Sequence, residues 1–194
     1  YLNELAETRA ALLGQLFPGV AATRYDAAQI HDHLNDAVRP SIVLMNPPFS
    51  AAAHVDGTVA EAALRHVSSA LVRLADGGRL VAITGANFGP DMPAWRDAFV
   101  RLQERGRVVF TAAVHGSVYA KHGTTVETRL TVIDKIPADD PSAFPASPGT
   151  APDIATLMTR IAEHVPPRSP LAPAVQVMPI SAAPRTVRGY LART

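Results

Sequence analysis

The chain has 194 residues, enough for one α/β domain with a substantial core, and 47% of them are hydrophobic, as in an ordinary globular protein. It contains no cysteine, which excludes disulfides and thiolate metal sites and is typical of a cytoplasmic protein. A net charge of +1 argues against strong nonspecific binding of nucleic acid, because a basic surface supplies most of that affinity. No apolar run approaches the ~18 residues of a transmembrane helix, so no membrane partner is expected.

The first quarter of the sequence predicts strands that alternate with helices or connections. Strands are predicted at 2–5, 20–25 and 42–45, a helix at 6–16, and a weak helix or loop at 27–37. The predicted helix region carries an apolar stripe of four leucines, Leu5, Leu12, Leu13 and Leu16. The third strand is an apolar run that stops at two prolines, and it is expected to be buried. Strands connected in this way imply a parallel sheet with right-handed crossovers.

The middle of the sequence continues this alternation. Helices are predicted at 57–75 and 94–105, and strands at 79–84, 108–114 and 128–136. The second of these helices should turn its large apolar residues inward, namely Trp95, Phe99 and Leu102. A polar connection without a helix joins the last two strands, so they are predicted to pair antiparallel.

The composition changes after Ile136, where prolines become frequent. The sequence therefore predicts a domain over 1–137 and a proline-rich linker over 138–194. Within the linker, one helix is predicted at about 154–165, followed by an extended arm.

The strand at 42–45 leads directly into Asn46, two prolines and Phe49. Pro47 pushes Asn46 into an extended conformation, so a stiff loop follows the carboxyl end of the strand, where open α/β sheets bind ligands. The Asn46 carboxamide and the Pro47 carbonyl offer hydrogen-bond acceptors, and the ring of Phe49 offers an aromatic face. Two acceptors beside a stacking surface suit a planar exocyclic amine. The alternative interpretation is an ordinary strand-to-loop turn.

The segment Asn46-Pro47-Pro48-Phe49 resembles the Asn/Asp-Pro-Pro-Tyr/Phe motif of class I, S-adenosylmethionine-dependent amino-methyltransferases, above all the adenine-specific DNA methyltransferases. Other segments resemble the methyltransferase domain fused to strawberry-notch-like helicases, namely Asn3–Leu5, His122–Thr125 and Thr128–Asp134. The resemblance implies an α/β fold with a Rossmann-like class I methyltransferase sheet, mostly parallel with an antiparallel last strand. It also implies S-adenosylmethionine as the cofactor, DNA as a partner, a helicase domain in the same full-length protein, and a catalytic role for the four motif residues.

Three polar residues, Glu4, Asp26 and Asn46, follow three successive predicted strands at roughly 20-residue intervals. In the family that the sequence resembles, such residues bind the cofactor, so Glu4, Asp26, Ala27 and Asn46 are expected to do so here. The alternative for each acid alone is a solvated loop residue. No segment offers Gly-x-Gly between a strand and a helix. The resemblance therefore implies a chain that starts at the family's second strand, with the first strand and its glycine-rich loop upstream and a gap in the sheet.

The resemblance also implies a binding region for the target base near Phe49, Ser50 and His122. A metal site at His31–His33 is not expected, because two histidines one residue apart point the same way only on a strand. Two other functions remain open. One is methylation of a guanine amine in RNA or of a glutamine amide in protein, and the other is a noncatalytic scaffold that binds nucleic acid or a helicase.

Overall fold

The computed structural model describes residues 1–48 and 60–171. Within these ranges, the strands and helices follow one another in the order that the sequence predicts. The strands are β1 (Leu2–Asn3), β2 (Ala22–Thr23), β3 (Ile42–Met45), β4 (Arg79–Gly85), β5 (Arg107–Val114) and β6 (Thr128–Asp134). The α-helices are α1 (Glu7–Leu16), α2 (Ile30–His33), α3 (Ala60–Arg73), α4 (Arg96–Gln103) and α5 (Ile154–His164), with short 3₁₀ helices at Ala27–Gln29 and Gly116–His122. No helix of the described ranges is long and apolar enough to cross a bilayer.

The main sheet has four strands in the order β3, β4, β6, β5. β3 runs parallel to β4, with Ile42 opposite Arg79 and Met45 opposite Ala82. β6 runs antiparallel to both of its neighbours. It follows β5 without a crossover helix, so the chain has to return in the opposite direction. The predicted fold class, a mostly parallel α/β sheet with an antiparallel last strand, is confirmed.

A second, smaller sheet consists of β1 and β2, which pair in parallel with Leu2 opposite Ala22. No ladder joins this pair to the main sheet in the part of the chain that the structure describes. Residues of β1 and of β3 nevertheless line one and the same cleft. The two sheets are therefore neighbours that are separated by a gap.

β3 is less buried than its apolar sequence predicts. Val43 and Met45 pack against the main core, whereas 54% of Ile42 and 77% of Leu44 is exposed. The core covers one face of this strand, and the exposed pair lies on the other face because successive side chains alternate. The expectation that the whole strand is buried is wrong for the described structure.

The apolar stripe predicted for α1 does not become a buried face. Leu5, Leu12 and Leu16 are all exposed, and Ala10 is the one buried residue of the helix. The stripe has the spacing of a helix that packs on a sheet, but β1 and β2 contribute only two residues each to such a surface. The predicted helix is present, and its leucine stripe lies largely at the surface of the described structure.

The main core lies between the sheet and the helices α3 and α4. Its centre contains Leu74, Leu80 and Phe99, all fully buried. The ring of Phe88 packs against Phe99 at a centroid distance of 5.0 Å and against Trp95 at 4.8 Å. As predicted, the apolar side of α4 faces inward. The helix packs on the face of the sheet opposite to the exposed face of β3.

The proline-rich stretch after residue 137 packs on the sheet, although its composition predicted a linker. Phe144 contacts the main core, and Ala151 is fully buried next to β5. α5 matches the predicted helix and buries Leu157 in a second apolar cluster with Phe110 and Val132. The prolines interrupt secondary structure, but the apolar residues between them still find buried positions. Contact with the sheet therefore corrects the linker interpretation for 138–165, whereas the domain boundary itself stays a prediction.

Charged side chains make contacts at the end of the main sheet where β3 and β4 begin. Arg79 pairs with Asp134 through two N–O distances of 2.7 and 2.8 Å and also donates to the carbonyl of Pro166 at 3.0 Å. Arg168 donates to the carbonyl of Ser41 at 3.3 Å. The stretch 166–171 thus runs along this end of the sheet, and the remainder of the predicted arm, 172–194, lies outside the described residues.

Candidate active site

A cleft of about 710 Å³ opens where β1, β2 and β3 end. The carboxyl ends of parallel strands are the usual position of ligand sites in α/β proteins, and this volume is ordinary for such a site. Six residues singled out from the sequence line the cleft, namely Glu4, Asp26, Ala27, Asn46, Pro47 and Pro48. The structure therefore brings together residues from both sheets.

Glu4 lies directly after β1 and three residues before the first residue of α1. Its Oε1 atom accepts hydrogen bonds from the backbone N–H of Ala6 and from the Arg9 guanidinium, both at 2.9 Å. The Arg9 hydrogen bond, followed by that of Ala6, lowers the pKa of Glu4 below its ordinary value. The carboxyl is consequently ionised at neutral pH and can accept from a hydroxyl or an amine.

Asp26 lies three residues after the end of β2 and caps the 3₁₀ helix Ala27–Gln29. Its Oδ1 atom accepts from the backbone N–H of Ala28 at 2.9 Å, and the side chain is about half exposed. Ala27 is the first residue of that 3₁₀ helix, so its N–H is not used by the helix itself. An acceptor and a backbone donor therefore stand next to each other at the cleft.

Asn3 connects the chain segments that carry Glu4 and Asp26, a role that the sequence did not predict. Its Nδ2 atom donates to the carbonyl of Tyr25 at 3.0 Å, and its Oδ1 atom accepts from the Tyr25 N–H at 3.0 Å and from the Thr23 hydroxyl at 2.9 Å. The carboxamide thus replaces one backbone unit and extends the short β1–β2 pairing by one step. Because Asn3 precedes Glu4 and Tyr25 precedes Asp26, this clamp sets the spacing of the two carboxylates.

The loop after β3 presents Asn46 at the surface of the cleft. Asn46 and Pro48 are exposed, whereas Pro47 is buried and anchors the turn. The expected stiff loop at the end of a strand is therefore present up to Pro48. Phe49 and Ser50, which were predicted to contact the target base, lie outside the described residues.

Several solved structures have a similar fold. The M protein of the type I restriction enzyme EcoKI has a TM-score of 0.53 at 19% identity over 72% of this chain and 31% of its own. A modification subunit assigned to a type I restriction enzyme of Vibrio vulnificus YJ016 has a TM-score of 0.56 at 12% identity over 84% of this chain and 41% of its own. A protein from Listeria monocytogenes assigned to the class I S-adenosylmethionine-dependent methyltransferases has a TM-score of 0.56 at 11% identity over 83% of this chain and 53% of its own.

This is the class I methyltransferase fold. The chain spans about a third to a half of the length of these proteins. No model of a known protein family and no curated protein matches the sequence. The class I methyltransferase fold explains why the cleft forms where it does, since its parallel strands all end at one edge.

The remaining predicted site residue, His122, is exposed at the end of the 3₁₀ helix Gly116–His122 and does not line the cleft. In the His31–His33 segment, His31 bonds to the Ser69 hydroxyl at 2.7 Å, and His33 stacks on Tyr25 at 4.9 Å. Within the described ranges, no group of three or more acidic or histidine side chains could hold a metal ion.

A polar side of α3, formed by His66, Ser69 and Arg73, faces the segment that carries Asp26. Ser69 accepts from the N–H of His31 at 3.2 Å, and Arg73 donates to the carbonyls of His31 and Leu34 and to the Asp36 carboxylate. These three residues recur at helical spacing opposite the apolar stripe, which is the one sequence signal that could have identified them. Ser69 and Arg73 thus hold the segment after Asp26 against the helix that follows the Asn-Pro-Pro motif.

Proposed function

We propose that this chain forms the core of an S-adenosylmethionine-dependent methyltransferase that modifies the exocyclic N6 amine of adenine in DNA. The observation that carries the proposal is the common cleft of Asn46, Pro47, Glu4 and Asp26 at the carboxyl edge of the sheets. The reaction needs one group of residues that binds the target amine and another that binds the cofactor. The loop after β3 would be the first, and the two carboxylates would belong to the second. The fold shared with the M protein of EcoKI is consistent with DNA as the substrate.

The residues on the β1–β2 side fit the adenosine part of the cofactor. Glu4 is ionised and can accept from the ribose hydroxyls, Asp26 can accept from the adenine amine, and the N–H of Ala27 can donate to a ring nitrogen. Asn46 borders the same space from β3. When bound, S-adenosylmethionine supplies an electrophilic methyl group on a positively charged sulfur.

The residues after β3 would hold the target amine. Adenine in a duplex is inaccessible, so the base has to be flipped out at a cost of about a few kcal/mol. The Asn46 carboxamide oxygen and the Pro47 carbonyl would accept the two N–H groups, which directs the nitrogen lone pair toward the methyl carbon. Phe49 would stack on the ring, with Ser50 and His122 as further substrate contacts. With the cofactor bound, the amine nitrogen would bond to the methyl carbon as the C–S bond breaks with its electron pair staying on sulfur, and the amine would then release a proton to solvent.

We further propose that residues 1–137 belong to a methyltransferase domain whose first strand and glycine-rich loop come from preceding sequence. The separation of β1 from β3 and the exposure of Ile42 and Leu44 support a strand and a helix in that position. An additional strand would pair with the edge of β3 that no described strand occupies, and its helix would cover the exposed face. The arm after residue 166 would connect to a helicase domain in the same protein.

The test supplies the full-length protein with methyl-labelled S-adenosylmethionine and three substrates in parallel: duplex DNA, RNA and a glutamine-containing protein. We expect label in DNA only, recovered as N6-methyladenine, and none in DNA that is already methylated at N6. Label in RNA guanine or in protein would replace the substrate assignment. Failure to bind S-adenosylmethionine in calorimetry would indicate the noncatalytic scaffold.

The clamp formed by Asn3 leads to a prediction about cofactor affinity. Asn3→Asp should weaken binding of S-adenosylhomocysteine to the full-length protein by about tenfold, because an ionised carboxylate cannot donate to the Tyr25 carbonyl and is repelled by it. The new carboxyl can donate again once it is protonated, so the ratio of mutant to wild-type Kd should fall as the pH is lowered. Calorimetry at several pH values measures this ratio, and Asn35→Asp, in an exposed loop outside the cleft, is the control. A ratio that does not change with pH would speak against the clamp.

A further inference from the structure

His66 is the one histidine of the polar side of α3 and lines the same cleft as Asp26 and Ala27. Its Nε2 atom is 3.9 Å from Oδ1 of Asp26, and only 14% of its side chain is exposed. This distance is too long for a hydrogen bond, so neither group satisfies the other. A ring nitrogen and a carboxylate oxygen therefore stand side by side at the cleft. Asp26 Oδ1 already accepts from the Ala28 N–H, and the carboxylate can accept further hydrogen bonds; among the described residues the His66 ring has no hydrogen-bond partner.

The protonation of His66 at neutral pH follows from its surroundings. Burial is the main cause that lowers the pKa of His66, Asp26 raises it, and Arg65 lowers it. Of the other charged groups that line the cleft, Glu4 lies just after β1, Arg9 lies on α1, and Arg73 lies on α3 itself. The imidazole is therefore neutral, with one N–H donor, and the nearby carboxylate favours the tautomer that carries the proton on Nε2.

A donor beside an acceptor matches one edge of adenine. That edge presents the N6 amine, which donates, next to N7, which accepts. Guanine presents an acceptor, O6, in place of the amine, and a carboxylate would repel it. Asp26 and His66 thus have the polarity that distinguishes the two purines.

We propose that His66 is a specificity-determining residue that donates from Nε2 to N7 of the cofactor's adenine while Asp26 accepts from its amine. The inference rests on the proposed function, because it takes the cleft to be the adenosine site. The His66 contact would be the third to the adenine, after those of Asp26 and Ala27. It would come from α3, the helix that follows the Asn-Pro-Pro motif. The adenine is thereby held from both the small sheet and α3.

The test compares S-adenosylhomocysteine with its 7-deaza analogue, in which a C–H group replaces N7. Calorimetry on the full-length protein should show about tenfold weaker binding of the analogue, because the N–H of His66 is left without an acceptor. His66→Phe should bind both ligands equally, and His66→Gln, which retains an N–H donor, should restore part of the difference. Ser68→Ala is the matched control: it lies on the same helix, does not line the cleft and should leave the ratio of the two affinities unchanged.

Equal affinity of the wild-type protein for the two ligands would overturn the proposal, as would a preference that persists in His66→Phe. Absence of binding for both ligands would instead refute the proposed function. A measurement without any ligand separates these cases. In an NMR titration of the chain itself, Asp26→Asn should lower the pKa of His66, and an unchanged pKa would show that the two side chains do not face each other.

Discussion

Asn46→Ala is expected to reduce the rate of methyl transfer by about 10²- to 10³-fold in the full-length protein, which is typical for loss of a preorganised polar group at a reacting centre. The alanine leaves one N–H of the target amine without an acceptor, so the lone pair is no longer directed at the methyl group. Because the contact acts on the reacting amine, the loss should appear in kcat more than in the KM for DNA. Steady-state kinetics with labelled cofactor measures both constants.

Two further variants test whether the loss in Asn46→Ala comes from the missing acceptor. Asn46→Asp keeps an acceptor oxygen and corresponds to the other residue that the resembled motif uses, so it should retain a larger part of the activity. Asn35→Ala removes an exposed asparagine from a loop that does not line the cleft, and its activity should equal that of the wild type. Unchanged labelling of DNA by Asn46→Ala would refute the catalytic assignment of the motif.

The largest expected effect on stability is that of Phe99→Ala, which should lower the free energy of unfolding of the chain by about 3–5 kcal/mol. Phe99 is completely buried at the centre of the main core, where its ring packs against Phe88. Truncation removes the buried area of the ring and leaves a cavity that α4 and the sheet cannot fill without moving. Urea denaturation followed by circular dichroism gives the midpoint and the slope from which the free energy is obtained.

One control for this prediction is at the same position of α4, and the other is on the sheet. Phe99→Leu refills part of the space and should cost less than about 1.5 kcal/mol. Leu44→Ala removes an equally apolar side chain from the exposed face of β3, and its effect should stay within about 0.5 kcal/mol. A loss for Phe99→Ala as small as that for Leu44→Ala would mean that α4 does not pack on the sheet as described.

The fold was largely predictable because its elements depend on local patterns. The apolar run Ile42–Met45 followed by prolines fixed both ends of β3, and the missing helix before β6 predicted its antiparallel direction. Burial depends on what covers an element, which a local pattern does not contain. For that reason, the exposure of Leu12 and Leu44 and the packing of the proline-rich stretch around Ala151 were not predicted.

The candidate site was predictable only where position along a strand determines position in space. Glu4, Asp26 and Asn46 line one cleft because parallel strands end at one edge, so spacing alone brought them together. Asn3 and His66 depend on contacts between residues that are distant in sequence, Asn3 with Tyr25 and His66 with Asp26. Neither residue type carries a signature of such a partner. The roles of all these residues in binding and catalysis stay predictions.

Because a gap separates the two sheets, a ligand that binds between them should affect how cooperatively they unfold. Each sheet has its own backbone hydrogen bonds, and Ser69 and Arg73 connect the segment after Asp26 to α3. A ligand that contacts Glu4 on one sheet and Asn46 on the other would join them, and its binding free energy would add to that connection. At 100 times its Kd, this contribution is about 2.7 kcal/mol. Unfolding of the two sheets should then be more cooperative with ligand than without it.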